Sequence, residues 1–154
     1  MPGVLQGIPP LSARPPLAQE RPPRVPPRLT TAPKLGHLYW CDFWRDAQLP
    51  KMWKTRPVIV LSYKNSMHGS CLVVPMTTAP LAKNRWALEL STSIDGRKSW
   101  ALCNHLCTIA ASRLPFCGKK APSVDKAEFN EILAKVTNWL PRPFALDKPA
   151  DLND

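Results

Sequence analysis

The sequence lacks the features that direct a protein to a membrane or to secretion. No apolar run approaches the length of about 20 residues that is needed to cross a bilayer. Residues 1–34 contain no apolar region of the kind found in a secretory signal. The five cysteines are an odd number, which argues against a disulfide framework. We therefore expect a cytoplasmic protein that does not bind membranes.

Metal ligands with recognisable spacing are also lacking. Cys103 and Cys107 are separated by three residues, with His105 between them, but there is no second pair with the spacing of a structural zinc site. The ordinary alternative is a buried cysteine that packs as a small apolar residue. The sequence therefore predicts no metal site and no other cofactor.

Acidic residues are few. The chain has 11 Asp and Glu against 21 Lys and Arg, which gives a formal net charge of +10. The positive excess lies both in the first segment and in the body of the chain. A basic domain attracts polyanions, of which nucleic acid is the commonest, although a merely solvated basic surface has the same composition.

Proline divides the chain into segments. Ten of the 19 prolines fall before Lys34, many of them in pairs, and proline lacks the N–H that helices and sheets need. We expect residues 1–34 to be a Pro/Arg-rich, disordered tail, although the repeat at 21–28 would also suit an SH3-type ligand. Residues 35–141 are predicted to form one domain, and residues 142–154 a flexible C-terminal tail.

Short β-rich runs dominate the predicted domain. They occupy 37–43, 57–62, 71–75, 86–90 and 99–103, and the segment 106–114 has room for one or two more. Turn-forming residues such as Gly69 and Gly96 separate them. Many short strands need their edges covered or paired, so we expect them to curl into a small barrel.

One helix is predicted at the end of the domain. Ser123 is a suitable N-cap, and a negative charge at Asp125 in the first turn is favoured by the helix dipole. Pro141 and Pro143 end the helix. Its apolar side chains fall on one stripe that we interpret as core: Phe129, Ile132, Leu133, Val136 and Leu140.

The order of these segments resembles the MazF/PemK family of toxins. Residues 36–43 are similar to the opening strand of that family. Residues 54–62 resemble its Arg-Pro motif, which a hydrophobic strand follows, and residues 73–78 resemble its strand ending in Pro-x-Thr. Residues 101–109, followed by Arg113 and Leu114, correspond to the region where the family usually has Cys-Asp-Gln-x-Arg and then Arg-Leu.

The resemblance implies a mainly β fold with a C-terminal α-helix, an SH3-like small barrel of the MazF/PemK/CcdB type. It implies the toxin of a type II toxin–antitoxin system, a metal-independent endoribonuclease that cleaves single-stranded RNA such as mRNA and so inhibits growth. The implied partners are the RNA substrate, a cognate antitoxin, a second copy of the chain in a homodimer, and operator DNA bound only by the toxin–antitoxin complex.

Cleavage of RNA by its own 2′-hydroxyl needs a base, a proton for the leaving oxygen and positive charge beside the phosphorus. Arg56 in the Arg-Pro motif suits the last role, since its fork matches two phosphate oxygens. Thr77 corresponds to the family's functional threonine, and its hydroxyl can donate to a phosphate oxygen. The ordinary alternatives are a surface arginine beside a proline and a threonine typical of strands.

The identity of the base is open. Asn104 stands where some family members have aspartate, and Cys107 where they have arginine. An amide cannot act as a base, and a thiol cannot bind phosphate as a guanidinium does. His105 can fill the gap, since its ordinary pKa of about 6.5 suits proton transfer, although a partly buried, hydrogen-bonded histidine is the alternative. We therefore predict Arg56, Thr77 and His105 as the catalytic residues.

Cations in the loops beside these motifs are expected to follow an RNA backbone, while Trp53 or Trp86 stacks a base. Tryptophan in a small barrel is equally often part of the core. The residues predicted to bind RNA are Lys51, Lys54, Thr78, Arg85 and Asn104.

Two other functions remain open at this point. The same barrel would serve as a catalytically weakened module that binds nucleic acid or protein, and the residues at Asn104 and Cys107 keep that option open. It would also serve as a CcdB-like toxin that poisons a topoisomerase, against which the Arg-Pro and Pro-x-Thr motifs argue.

Overall fold

A computed structural model describes residues 21–44, 48–80, 83–115 and 120–143. It contains β1 (Leu38–Asp42), β2 (Thr55–Val60), β3 (Ser70–Thr77), β4 (Ala87–Ile94), β5 (Arg97–Leu102), β6 (Cys107–Ala110) and α1 (Lys126–Trp139). A single 3-10 turn, Ala111–Arg113, follows β6. Each predicted strand is present within a few residues, and no described helix is long and apolar enough to cross a membrane.

The strands form one antiparallel, six-stranded sheet in the order β1-β2-β3-β5-β4. One edge of β3 pairs with β2, where Val58 lies opposite Pro75. Its other edge is shared, because β6 pairs with the first half of β3 and β5 with its last two residues. The mainly β, barrel-like fold with a C-terminal helix is therefore confirmed. Among the described strands no pairing joins β1 to β4, so the sheet is not closed.

The hairpin between β4 and β5 is longer than predicted, because both strands continue to the turn. Ile94 pairs with Arg97 across a two-residue connection. Asp95 and Gly96 both have positive φ, of 52° and 73°. This is the backbone conformation of a type I′ hairpin turn, for which Asp-Gly is a preferred sequence.

Alternation along the strands sends side chains into two cores. Ile59, Val74 and Met76 face the first core, which α1 covers with Ile132 and Val136. The second core, on the opposite face of β2 and β3, contains Cys41, Val58, Val60, Cys71, Val73, Ile109 and Leu114. Because β2 is buried on both faces, its sequence is a nearly continuous apolar run.

Helix α1 differs from its prediction in two details. The N-cap is Asp125, whose carboxylate accepts a hydrogen bond from the backbone N–H of Ala127, so the assignment of Ser123 was wrong. Aspartate and serine are equally good caps, and the sequence offered both. The buried stripe is also narrower than predicted, since Leu133 is 38% and Leu140 44% exposed. A helix on a small sheet buries only the residues along its line of contact.

The segment 28–34 lies against the strands. Arg28 donates to the carbonyl of Ser112 over 3.0 Å and to the Asp42 carboxylate over 2.8 Å. The Lys34 backbone N–H donates to the Tyr39 hydroxyl, and Asn65 donates to the carbonyl of Pro33. The division of the chain at residues 34 and 141 stays a prediction. Residues 1–20 and 144–154 of the two predicted tails lie outside the described residues.

Candidate functional site

Arg56 and Thr77 lie at the same end of the two neighbouring motif strands. Val58 on β2 lies opposite Pro75 on β3, and Arg56 and Thr77 each lie two residues beyond this pair, at the same end of the two strands. Side chains two residues apart share a face, so both side chains point to the face of the second core. The Arg-Pro and Pro-x-Thr motifs therefore lie on paired strands, with Arg56 and Thr77 at the same end.

Arg56 has a donor without a partner. Its Nε is buried and makes no hydrogen bond within the part of the chain that the structure describes. Such groups are uncommon, because removing a donor from water without replacing its hydrogen bond is costly. A bound anion would satisfy this nitrogen, and the guanidinium remains charged at any working pH.

The Thr77 hydroxyl is held at the end of β3. It accepts a hydrogen bond from the backbone N–H of Ala79 over 3.2 Å, which fixes the oxygen in place. The hydroxyl hydrogen is still free to rotate and donate. Thr78, the next residue along, is half-buried directly after the strand. A phosphate oxygen beside Arg56 can therefore receive a second donor from this strand end.

The turn after β5 carries the third predicted catalytic residue. The backbone N–H of His105 donates to the carbonyl of Leu102 over 3.0 Å, which closes the turn. Burial lowers the pKa of His105, and the positive charge of Arg56 lowers it further. An electrostatic effect of this kind requires the two side chains to be near each other. The lowered pKa keeps the imidazole neutral at neutral pH, so an unprotonated ring nitrogen is available to accept a proton from a hydroxyl.

Asn104, next to His105, also has an unpaired polar atom. Its Oδ1 is buried, and no described residue donates to it. An amide oxygen can accept a hydrogen bond from a ribose hydroxyl or a base. Two of the predicted site residues, Arg56 and Asn104, therefore each carry a buried polar atom without a partner among the described residues.

The cysteines near the site behave as core residues. Burial raises the pKa of Cys41 to about 12 and that of Cys71 to about 11. Burial also raises the pKa of Cys107, which the charge of Lys51 partly opposes. These thiols are protonated at neutral pH and are poor nucleophiles. In the described ranges, no group of three His, Cys, Asp or Glu side chains is arranged to hold a metal ion.

The predicted RNA-binding cations lie against tryptophan rings. The Nζ atom of Lys51 is 5.1 Å from the ring centroid of Trp44, and that of Lys54 is 5.9 Å from the centroid of Trp53. The Arg85 guanidinium lies 4.3 Å from the Trp86 ring. The carbonyl of Trp86 accepts a hydrogen bond from Cys103, which directly precedes Asn104. Three of the predicted RNA-binding cations, Lys51, Lys54 and Arg85, therefore each lie against a tryptophan ring.

Two residues that contact each other beside the loop between β1 and β2, Trp44 and Arg113, were not predicted as site residues from the sequence. The Arg113 guanidinium lies 4.4 Å from the centroid of Trp44, on the aromatic ring that Lys51 also approaches. Arg113 also donates to the carbonyl of Asp42 over 3.0 Å. Two signals were available: the match of Arg113 and Leu114 to the family's Arg-Leu motif, and a tryptophan near each end of the loop between the first two strands, at Trp44 and Trp53.

The chain matches the model of a known protein family. A family model described as PemK-like, MazF-like toxin of type II toxin–antitoxin system matches residues 34–140. That span is more than half of the chain, so the protein belongs to this toxin family. The resemblance drawn from the sequence motifs is confirmed.

Solved structures share the fold. MazF from Deinococcus radiodurans is 21% identical, with a TM-score of 0.53, over 70% of this chain and 94% of that one. An endoribonuclease from Mycobacterial species is 20% identical, with a TM-score of 0.53, over 73% and 96%. An endoribonuclease in complex with its cognate antitoxin, also from Mycobacterial species, is 20% identical, with a TM-score of 0.52, over 73% and 100%. A search of curated proteins found no match.

Proposed function

We propose that this protein is the toxin of a type II toxin–antitoxin system and that it cuts single-stranded RNA without a metal ion. The observation that carries the proposal is the effect of the Arg56 charge on the pKa of His105, with Thr77 at the same end of the neighbouring strand as Arg56. We assign the catalytic roles to these three residues. Membership of the toxin family supports the proposal, and so does the fold shared with an endoribonuclease.

The proposed reaction is an attack of the 2′-hydroxyl on the adjacent phosphorus. His105 accepts the proton of the hydroxyl, the bond from the 2′-oxygen to phosphorus forms, and the bond to the 5′-oxygen breaks. Arg56 and Thr77 donate to the non-bridging oxygens, where negative charge develops. The leaving 5′-oxygen takes a proton from the imidazolium or from water, which yields a 2′,3′-cyclic phosphate and a free 5′-hydroxyl.

The electrostatics of the site support this division of roles. Since both burial and Arg56 lower the pKa of His105, the imidazole is neutral at neutral pH and is available as a base. DNA lacks the nucleophilic 2′-hydroxyl and is not a substrate of this reaction. The buried Oδ1 of Asn104 is suited to hold the ribose or base next to the cleaved phosphate.

The proposed partners follow from the toxin class. We propose that the chain acts as a homodimer in the cytoplasm, where mRNA is available, and that a cognate antitoxin neutralises it. A structure of similar fold holds its antitoxin. Operator DNA is proposed to bind only the toxin–antitoxin complex.

The direct test is incubation of the purified protein with a long RNA, with and without EDTA. Cleavage that persists in EDTA and is lost in Arg56→Ala is the expected result. RNA binding without cleavage would instead support the weakened binding module, which the amide at Asn104 and the thiol at Cys107 keep as a second candidate. The match to PemK-like and MazF-like toxins leaves the topoisomerase-poison alternative without support.

A further inference from the structure

An arginine of the segment 28–34 reaches the end of β1. The Arg28 guanidinium donates from Nε to the carbonyl of Ser112 over 3.0 Å and from Nη2 to the Asp42 carboxylate over 2.8 Å. The family model matches residues 34–140, so Arg28 lies outside the matched residues. Its contacts are therefore a feature of this chain that membership of the toxin family does not explain.

Asp42 is the residue at which several parts of the chain meet. Its Oδ2 atom accepts the hydrogen bond from Arg28, and its Oδ1 atom accepts one from the Thr55 hydroxyl over 2.8 Å. Its backbone carbonyl accepts a third from Arg113, at the end of the turn after β6. The hydrogen bonds from Arg28 and Thr55 lower the pKa of Asp42, so its carboxylate stays charged at neutral pH and keeps both partners.

The contact between Asp42 and Thr55 holds the start of β2. Asp42 pairs with Thr55 and Cys41 pairs with Arg56, so the end of β1 holds the first two residues of β2. The described pairing of β2 with β3 begins only at Val58, which leaves β1 as the strand that pairs with Arg56. A hydrogen bond between side chains that lie directly opposite each other strengthens the pairing at that point. The backbone of Arg56 is therefore placed by the end of β1, which Arg28 ties to the turn after β6.

The ion pair between Arg28 and Asp42 adds little to stability. The two side chains are 41% and 40% exposed, and solvent screens a pair of this kind. The same contact can still fix a geometry, because the planar fork of arginine holds two acceptors in defined directions. Catalysis is sensitive to geometry, since a misplacement of about 1 Å can slow a reaction by about 10²-fold.

We propose that Arg28 is a positioning residue of the cleavage site, which acts through Asp42 and Thr55 to hold the start of β2 and with it Arg56. The inference rests on the proposed RNA-cleaving function and adds to it a contribution from outside the residues that the family model matches. Arg28 does not touch the substrate in this arrangement. Its loss should therefore lower kcat and leave the affinity for RNA close to that of the wild type.

The test compares Arg28→Ala, Thr55→Val, the double variant and the control Arg24→Ala. Arg24 is exposed and forms no ion pair with the described residues, so its loss removes the same charge without the contact to Asp42. Thr55→Val removes the hydroxyl that donates to Asp42 and keeps the shape of the side chain. Cleavage of a fluorogenic RNA gives kcat and KM. Fluorescence anisotropy of a labelled RNA with 2′-O-methyl groups, which has no free nucleophile, gives Kd, and thermal denaturation checks folding.

We expect Arg28→Ala to lower kcat by about 5-fold to 10²-fold, with the upper value set by a misplacement of about 1 Å. KM, Kd and the slope of log Kd against log salt should stay close to the wild-type values. Arg28→Lys should recover part of the rate, because an ammonium can pair with Asp42 but lacks the fork that also reaches Ser112. Arg24→Ala should leave kcat unchanged. Because Arg28 and Thr55 act through one carboxylate, the double variant should lose less than the product of the two single losses.

A second measurement does not depend on activity. The positive charge of Arg56 is one cause of the lowered pKa of His105. If the loss of Arg28 lets Arg56 move away, the pKa of His105 should rise part of the way towards its value in Arg56→Ala, as measured by NMR titration. Arg24→Ala should leave this pKa unchanged, which controls for the removal of one positive charge at longer range.

The outcomes separate this proposal from the proposed function. A wild-type kcat in folded Arg28→Ala overturns the positioning role and leaves the nuclease standing. A raised KM with a smaller salt slope and an unchanged kcat would mean that Arg28 binds RNA directly, which also overturns it. Losses that multiply in the double variant overturn the path through Asp42. If the wild type cuts no RNA, the proposed function fails, and the pKa of His105 then decides: a rise in Arg28→Ala supports the positioning role, and no change overturns it. If Arg28→Ala does not fold, a wild-type kcat in Thr55→Val overturns the positioning role.

Discussion

At the scale of single residues, the proposed chemistry depends most on Arg56. It is the second residue of β2 and pairs with Cys41 of β1, and two residues later the strand also pairs with β3 at Val58. These pairings hold its backbone in place. Its buried Nε has no partner among the described residues, so the side chain has a donor available for the substrate. A charge held in place before the substrate arrives needs no reorganisation during the reaction.

We predict that Arg56→Ala lowers the cleavage rate by at least about 10²-fold, the scale for losing one preorganised donor at a developing charge. Arg56→Lys should restore little, because an ammonium cannot reproduce the planar fork. Thr77→Ala should raise the activation free energy of cleavage by about 1 kcal/mol, as expected for the loss of one hydrogen bond. The measurement is the rate on a fluorogenic RNA, and a folded Arg56→Ala with the wild-type rate would rule out the catalytic assignment.

His105 gives a prediction that does not depend on activity. Since the positive charge of Arg56 lowers its pKa, removing that charge in Arg56→Ala should raise the pKa of His105 towards the ordinary value. Burial is the larger cause of the lowered pKa, so part of the shift should remain in Arg56→Ala. NMR titration of the imidazole in both proteins measures the change, with the surface residue His68 as an internal control. An unchanged His105 pKa would mean that the two side chains are not close.

Some of this site could be predicted from the sequence and some could not. Arg56 and Thr77 were predicted because each lies in a local motif at the end of an apolar strand. Trp44 and Arg113 were missed because their contact joins distant parts of the chain, which no local pattern encodes. The effect of Arg56 on His105 likewise appears only once β5 and β2 are placed on either side of β3.

At the scale of elements, the start of helix α1 shows where local rules stop being decisive. Ser123 and Asp125 both satisfy the preference for an N-cap, so the sequence alone did not choose correctly between them. The choice is made by tertiary structure. Ser123 forms a β-bridge with His37, which keeps it extended, and the helix begins after Asp125.

We predict that Asp125→Ala lowers the free energy of unfolding by about 1 kcal/mol, the usual cost of losing an N-cap. Its carboxylate accepts the hydrogen bond from Ala127, and no other side chain is placed to do so among the described residues. Ser123→Ala is the matched control and should change stability by no more than about 0.5 kcal/mol. Urea denaturation of the two variants checks this, and equal losses would contradict the cap assignment.

At the scale of the whole molecule, strand order is what makes the site. The Arg-Pro motif and the Pro-x-Thr motif lie on the adjacent strands β2 and β3. The third motif includes the turn that carries His105, between β5 and β6. Both of these strands pair with the same edge of β3, which is why that turn lies near the other two motifs. Elements and their order were predictable from hydrophobic runs, turn residues and the family resemblance. The open edge between β1 and β4 was not, because closure depends on the curvature and register of the whole sheet.

The last prediction concerns where the folded domain begins. Removing residues 1–27 should leave the melting temperature within a few degrees and RNA cleavage intact, because residues 21–26 are exposed. Removing residues 1–34 also deletes the two hydrogen bonds of Arg28, the packing of Leu29 on the second core and the bond from Asn65 to Pro33. The exposed Arg28–Asp42 pair adds little by itself, so packing and the remaining bonds should dominate. A loss of about 1 kcal/mol or more in the free energy of unfolding would lower the melting temperature by at least about 4 °C in a domain of this size.

Thermal denaturation of the two truncated proteins beside the full chain tests where the folded domain begins. Equal melting temperatures would place the boundary after residue 34, as predicted from proline content, and would show that the contacts of residues 28–34 do not stabilise the fold.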